Sequence, residues 1–209
     1  MMVTNIRFSK LAVMSLFIAA TSLFLVNTSF AGKQKFSELE SYTIKYKVVE
    51  GSKQADITAY SQDWGRCVVQ ISGNEKSIVL NNDNEQVAIF IDQANNQGIK
   101  TVNPNLKDVV AKMKGKSPKE FSDELMINLG GKVVGNKMVA GEKCTNWELQ
   151  GTSTCLTDDG ITIETIVPGK FSQTLLELKR NEPGPKDACD YSKVSIQEVD
   201  PKTLMQQPQ

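Results

Sequence analysis

Chemistry in this chain would have to come from carboxylates or thiols, because its 209 residues include no histidine. That removes the commonest general base, the Ser–His and Cys–His nucleophile pairs and the commonest metal ligand. Paired carboxylates with separated pKa values would be the remaining route to acid–base work. Asp92, Glu164 and Glu177 are the acids carried by strand-like segments. The other conspicuous acids sit in turns, Asp83 in Asn81-Asn82-Asp83-Asn84 and the pair in Asp158-Asp159-Gly160. Short acidic side chains in turns bond their own backbone. No phosphate loop, nucleophile elbow or calcium loop occurs. The expectation is a protein that is not an enzyme, with no catalytic residue, no metal ligand and no cofactor.

The four cysteines, Cys67, Cys144, Cys155 and Cys189, contain no C-x-x-C pair, which disfavours a zinc or redox site. An even number in an exported chain points to disulfides. Cys144 and Cys155 flank two short strands and a turn. If they face each other, the loop is Glu148-Leu149-Gln150-Gly151, with glycine at the closing position. The predicted bridges are therefore Cys144–Cys155 and Cys67–Cys189.

Export is read from the N-terminus. Arg7 and Lys10 precede an apolar run, Leu11 to Val26, and Ser29-Phe30-Ala31 supplies small residues before a cut after Ala31. The run is about 16 residues, short of the roughly 20 needed to cross a bilayer. Residues 1–31 are expected to be a cleavable signal, with no integral span in the mature chain and a periplasmic or secreted product. Removing Arg7 and Lys10 leaves 22 basic against 24 acidic residues. That balance argues against nucleic acid as a partner and against an electrostatic membrane binder, and no nucleic-acid partner is expected.

The elements that would position these groups are mostly strands. Tyr42, Ile44, Tyr46 and Val48 alternate with Thr43, Lys45 and Lys47, a half-buried strand pattern. Further strands are expected at Ala55–Ser61, Arg66–Ile71, Ser77–Leu80, Val87–Asp92, Cys144–Glu148, Thr152–Thr157, Ile161–Val167 and Ser172–Lys179. Midway, Leu106, Val109, Val110 and Met113 form one helical stripe. Ser117-Pro118-Lys119-Glu120 starts a second helix with a capping box, followed by Phe121, Leu125 and Leu129 and closed by Gly130-Gly131. The fold class is α+β: an antiparallel curved sheet of about eight or nine strands with two short helices inserted midway. The domain is expected over residues 32–195, with a flexible tail at 196–209. Two short helices cannot cover such a sheet completely, which leaves a groove or cavity. The residues expected to line it are Tyr42, Ile44, Tyr46, Val48, Ile57, Ile89, Ile91, Phe121, Leu125, Trp147, Ile163 and Leu176.

The run Val134-Gly135-Asn136-Lys137-Met138-Val139-Ala140-Gly141-Glu142-Lys143-Cys144-Thr145-Asn146-Trp147-Glu148 resembles a stretch of exported LolA-like proteins. There a Gly-x-Glu-x-Val-x-Gly-x-x-Cys-x-x-Trp-like pattern leads into a hairpin, and a strand like Gly160-Ile161-Thr162-Ile163-Glu164 follows. The likeness extends loosely over residues 40–180. It implies an unclosed β-barrel wrapped around helices, with a hydrophobic cavity that in the superfamily can hold lipid or lipoprotein acyl chains. Two functions are expected from this. One is a periplasmic carrier or sensor for an apolar ligand such as a lipid or acyl chain. The other is an envelope protein-interaction or assembly module with a fully packed core.

Overall fold

The structure is a computed structural model and describes residues 34–201. The expected signal at 1–31 and residues 202–209 of the expected tail lie outside the described residues. In chain order the elements are β1 (Tyr42–Glu50), β2 (Lys53–Gln62), β3 (Cys67–Ser72), β4 (Glu75–Asn81), β5 (Gln86–Asp92), β6 (Gln97–Asn103), α1 (Leu106–Met113), α2 (Pro118–Asn128), β7 (Lys132–Val139), β8 (Glu142–Leu149), β9 (Thr152–Leu156), β10 (Thr162–Val167), β11 (Phe171–Arg180) and β12 (Ser195–Glu198).

All the strands join one sheet in the order β12-β6-β5-β4-β3-β2-β1-β11-β10-β9-β8-β7. Every pairing is antiparallel except β12 beside β6. β7 and β12 are the two edges, so the sheet does not close. The architecture is the unclosed, antiparallel-dominated sheet with a mid-chain helix pair that was expected. It has 12 strands rather than eight or nine.

The additional strands, β6, β7 and β12, have weak patterns of their own. β6 is Gln-Gly-Ile-Lys-Thr-Val-Asn, β7 contains Gly135 and two lysines, and β12 has only 4 residues. Ladder hydrogen bonds to a neighbour make them strands, and no local alternation announces that. β12 also shortens the expected tail, since residues 196–198 are paired.

The α2 start follows its sequence signal. Ser117 Oγ accepts from the Glu120 backbone N–H at 3.1 Å, and the Glu120 carboxylate accepts from the Ser117 N–H at 2.7 Å. Each satisfies a donor that the first helical turn leaves over.

Both expected disulfides are present, Cys67–Cys189 and Cys144–Cys155. The hairpin geometry behind the second differs from the expectation. Leu149 pairs with Thr152, so the loop is only Gln150-Gly151, with φ of 50° and 78°. Two positive φ values give a turn whose twist matches the strands. Cys155 therefore opposes Asn146, and the bridge runs diagonally to Cys144.

After β11 the chain crosses the sheet as a strap. Thr43 Oγ1 donates to Glu182 O, Gln62 Nε2 to Pro185 O and Asn96 Nδ2 to Lys193 O. Gly184 lies so close to Tyr60 that a Cβ there would stand 2.5 Å from Tyr60 Cγ. Cys189 is anchored to Cys67, and β12 completes the crossing beside β6.

Candidate functional site

Cross-strand partners point to the same face of a sheet, so the registers sort the side chains. From β1 to β6 one row reads Ile44, Ala59, Gln70, Ser77, Phe90, Ile99. The next row reads Tyr42, Ser61, Val68, Val79, Ala88, Thr101. Toward the other edge a row on this same face reads Val48, Gln173, Thr165, Thr154, Trp147, Val133. We call this the tyrosine face, after Tyr42 and Tyr46, and the opposite one the strap face.

Of the expected lining residues, Tyr42, Ile44, Tyr46, Val48, Ile57 and Ile163 share one buried cluster. Trp147 lies on the tyrosine face and is buried. Ile89 and Ile91 are corrections. Their partners Ile78 and Lys76 place them on the strap face. There they pack with Val69, Cys67 and Ala188 under the strap. The β3–β5 strands are apolar on both faces, and alternation cannot say which set belongs with β1.

Leu176 is a second correction. The β1–β11 register slips between Lys45 and Tyr46, so that Lys45 opposes Glu177 while Tyr46 opposes Leu175. Leu176 is the extra residue of this bulge and is 50% exposed. Leu175, one place earlier, takes the buried position. Phe121 belongs to a separate cluster with Phe36, Leu106 and Met113. Leu125 is half-buried on α2.

The tyrosine face also holds polar residues that the apolar search missed. Among the described residues, Ser61 Oγ, Gln70 Oε1, Trp147 Nε1 and Gln173 Oε1 are buried without a hydrogen bond of good geometry, although Ser61 lies beside the Tyr42 hydroxyl and Gln173 beside that of Tyr46. Their residues are only 1%, 7%, 4% and 3% exposed. All four lie in the three rows of the tyrosine face. The fifth such atom, Asp123 Oδ1, is on α2, and its other oxygen meets Lys119 Nζ at 2.5 Å. Leaving a buried polar atom unpaired costs about 1–3 kcal/mol, so their gathering on one face asks for a reason. The signal was available: Ser61 and Gln70 break otherwise apolar or small phases of β2 and β3.

Ala59, Ser61, Ser77 and Ala88 are small and sit between Tyr42–Ile44 at one side and Phe90–Ile99 at the other. Tyr46 donates its hydroxyl to Thr162 O at 2.6 Å. Burial pushes the Tyr42 hydroxyl up to about 12, an effect that the neighbouring Ser61 hydroxyl moderates. Burial raises Tyr46 well above the usual phenol range as well.

The strand-borne acids are not brought together. Asp92 accepts from the Ala94 and Asn95 backbone N–H groups of the following turn. Glu164 pairs with Lys137, and Glu177 pairs with Lys45 at 2.6 Å. The turn acids are also engaged. Asp83 pairs with Arg66, while Asp159 and Glu142 share Arg180, which is held firmly charged by both. Among the described residues no helix is long and apolar enough to cross a membrane.

No family model matches the chain, and no curated protein matches it. Solved structures do resemble it. PNGF-II superposes with a TM-score of 0.51 at 13% identity, over 79% of this chain and 33% of that one. The chain thus spans about a third of PNGF-II. An uncharacterized conserved protein from Thermus thermophilus gives a TM-score of 0.51 at 10% identity, over 78% of this chain and 92% of that one. MucB is more distant, with a TM-score of 0.41 at 10% identity, over 88% of this chain and 65% of that one. At these identities the likeness is one of fold. The class defined is an unclosed, strongly antiparallel sheet with a helix pair inserted at mid-chain, stapled by two disulfides that fit an oxidising, extracytoplasmic location.

Proposed function

We propose that the protein is a periplasmic, non-enzymatic carrier or sensor of the LolA-like half-barrel kind, holding a lipid or acyl chain against the tyrosine face. The observation that supports this reading is the apolar cluster of Tyr42, Ile44, Tyr46, Val48 and Ile57 on that face of an unclosed sheet. A guest lying in the trough would stabilise the complex by roughly 25 cal/mol per Å² of apolar surface removed from water. The helix pair supports the reading too, because it closes its own cluster, separate from the sheet cluster around Tyr42 and Tyr46.

The test is direct. Protein purified from its native host is extracted with organic solvent, and the extract is analysed by mass spectrometry. In parallel, a brominated fatty acid is titrated while Trp147 fluorescence is followed. A co-purifying lipid and quenching of the buried indole are expected. An empty extract together with unchanged fluorescence overturns the reading.

A second reading rests on a different observation. Ile127 and Leu129 at the end of α2, and Val133, Val134 and Met138 on edge strand β7, are 53–63% exposed. An apolar edge strand is a ready surface for another chain, as an envelope interaction module requires. Capture of one stoichiometric protein partner that Val134→Lys abolishes, with no lipid bound, would favour it.

A further inference from the structure

We infer that β7 is the contact between two copies of this chain, which pair antiparallel along this edge about a two-fold axis at Asn136. The inference rests on the interaction reading of this surface and names its partner. It does not depend on what the tyrosine face holds. Among the described residues, all the exposed large apolar side chains except Leu176 fall within residues 127–138: Ile127, Leu129, Val133, Val134 and Met138. β7 ends the sheet, with β8 on one side and no strand on the other. The backbone N–H and C=O groups on that open side call for an extended chain. A bilayer core supplies no such groups.

The register of β7 makes it complementary to itself. Val133 pairs with Trp147 and Gly135 with Asn146, so Val134 is the extra residue of a bulge. Asn136 and Met138 pair with Thr145 and Lys143, which puts both on the tyrosine face with Val133. An antiparallel pair sets residues of one face opposite each other. With the axis at Asn136, Met138 of one copy meets Val133 of the other, twice by symmetry. Gly135 then meets Lys137, and Lys132 meets Val139. No lysine faces a lysine, and Lys137 already pairs with Glu164. Lys132 also comes to lie across Val139 from Glu142, the β8 partner of Val139. The neighbouring registers lack this fit. An axis at Gly135 sets Lys132 against Lys137, and an axis at Lys137 sets that lysine against its own copy. Like charges directly opposite are destabilising.

The experiment is sedimentation velocity of the mature protein over a range of concentrations. A monomer–dimer equilibrium with a micromolar Kd is expected, as a small interface gives. Met138→Lys is expected to weaken it by about tenfold or more. Leu176→Lys, at an exposed site on β11, is expected to leave it unchanged, with far-UV circular dichroism reporting that both variants are folded. Under mild oxidation Asn136→Cys is expected to cross-link to its own copy, and Leu176→Cys is not. A dimer that Met138→Lys leaves intact, or in which Asn136→Cys does not cross-link, overturns the inference. A monomer at every concentration that captures one stoichiometric protein of another kind overturns it and leaves the interaction reading standing. A monomer that captures no protein overturns both.

Discussion

Leu175 is 3% exposed and Leu176 is 50% exposed, although they are neighbours in the middle of β11. The bulge opposite Lys45 and Tyr46 decides between them. Leu175→Ala is expected to cost about 2–5 kcal/mol, as a buried leucine truncation does, and Leu176→Ser about 0.5 kcal/mol or less. Urea unfolding measures both, and equal costs would mean that the bulge is misplaced. Tyr42 carries a different residue-scale consequence. Its hydroxyl is raised from 10.0 to about 12 by burial, so the unfolded chain loses its phenolic proton first as pH rises. Stability is full below about pH 10 and declines as pH climbs toward 12, by about 3 kcal/mol from this group alone. Tyr42→Phe should flatten that part of the decline in thermal melts between pH 9 and 12, and an unchanged slope would refute it.

At the scale of elements, the two disulfides do different work. Cys67–Cys189 joins residues 122 apart and ties the strap to β3, whereas Cys144–Cys155 joins residues 11 apart within one hairpin. On the chain-entropy account the longer closure contributes about 5 kcal/mol and the shorter about 3 kcal/mol. The double substitution Cys67→Ser/Cys189→Ser is therefore expected to lower the melting temperature more than Cys144→Ser/Cys155→Ser. The reverse order would show that the strap holds without its staple. That the cysteines form bridges was legible from their even count, and the pairing from the short spacing of Cys144 and Cys155 about one turn. The hairpin register was not, because Glu148-Leu149-Gln150-Gly151 suits a loop of four as well as one of two. Only the twist of the paired strands chooses between them. The second helix was legible to the residue, since Ser117, Pro118 and Glu120 act within one turn.

For the whole molecule, the sheet has two faces with different duties. The strap face is closed by the chain itself, through Cys189, Gly184 and the Ile89–Ile91 cluster. The tyrosine face is the one with polar atoms left over. A ligand that binds only the folded form stabilises it by about 2.7 kcal/mol at a hundred times its Kd. For a domain of this size that is a rise of roughly 5–10 °C in Tm. Saturating palmitic acid is expected to produce such a shift in thermal melts, and an unchanged Tm would count against the carrier reading.

What the sequence by itself determined is local chemistry: the missing histidine, the strand alternation from Tyr42 to Val48, the capped helix at Ser117 and the pairing of the cysteines. These depend on residues near one another in the chain or on simple counting. What only the tertiary structure decided is which side of the sheet a residue faces once strands distant in sequence are in register. Ile89 moved to the strap face, Leu176 moved outward, and Ser61, Gln70 and Gln173 moved to the centre of the candidate site. The physical reason is that side-chain direction alternates with every residue along a strand. One bulge, or one apolar run buried on both faces, reverses the assignment while leaving the local pattern unchanged.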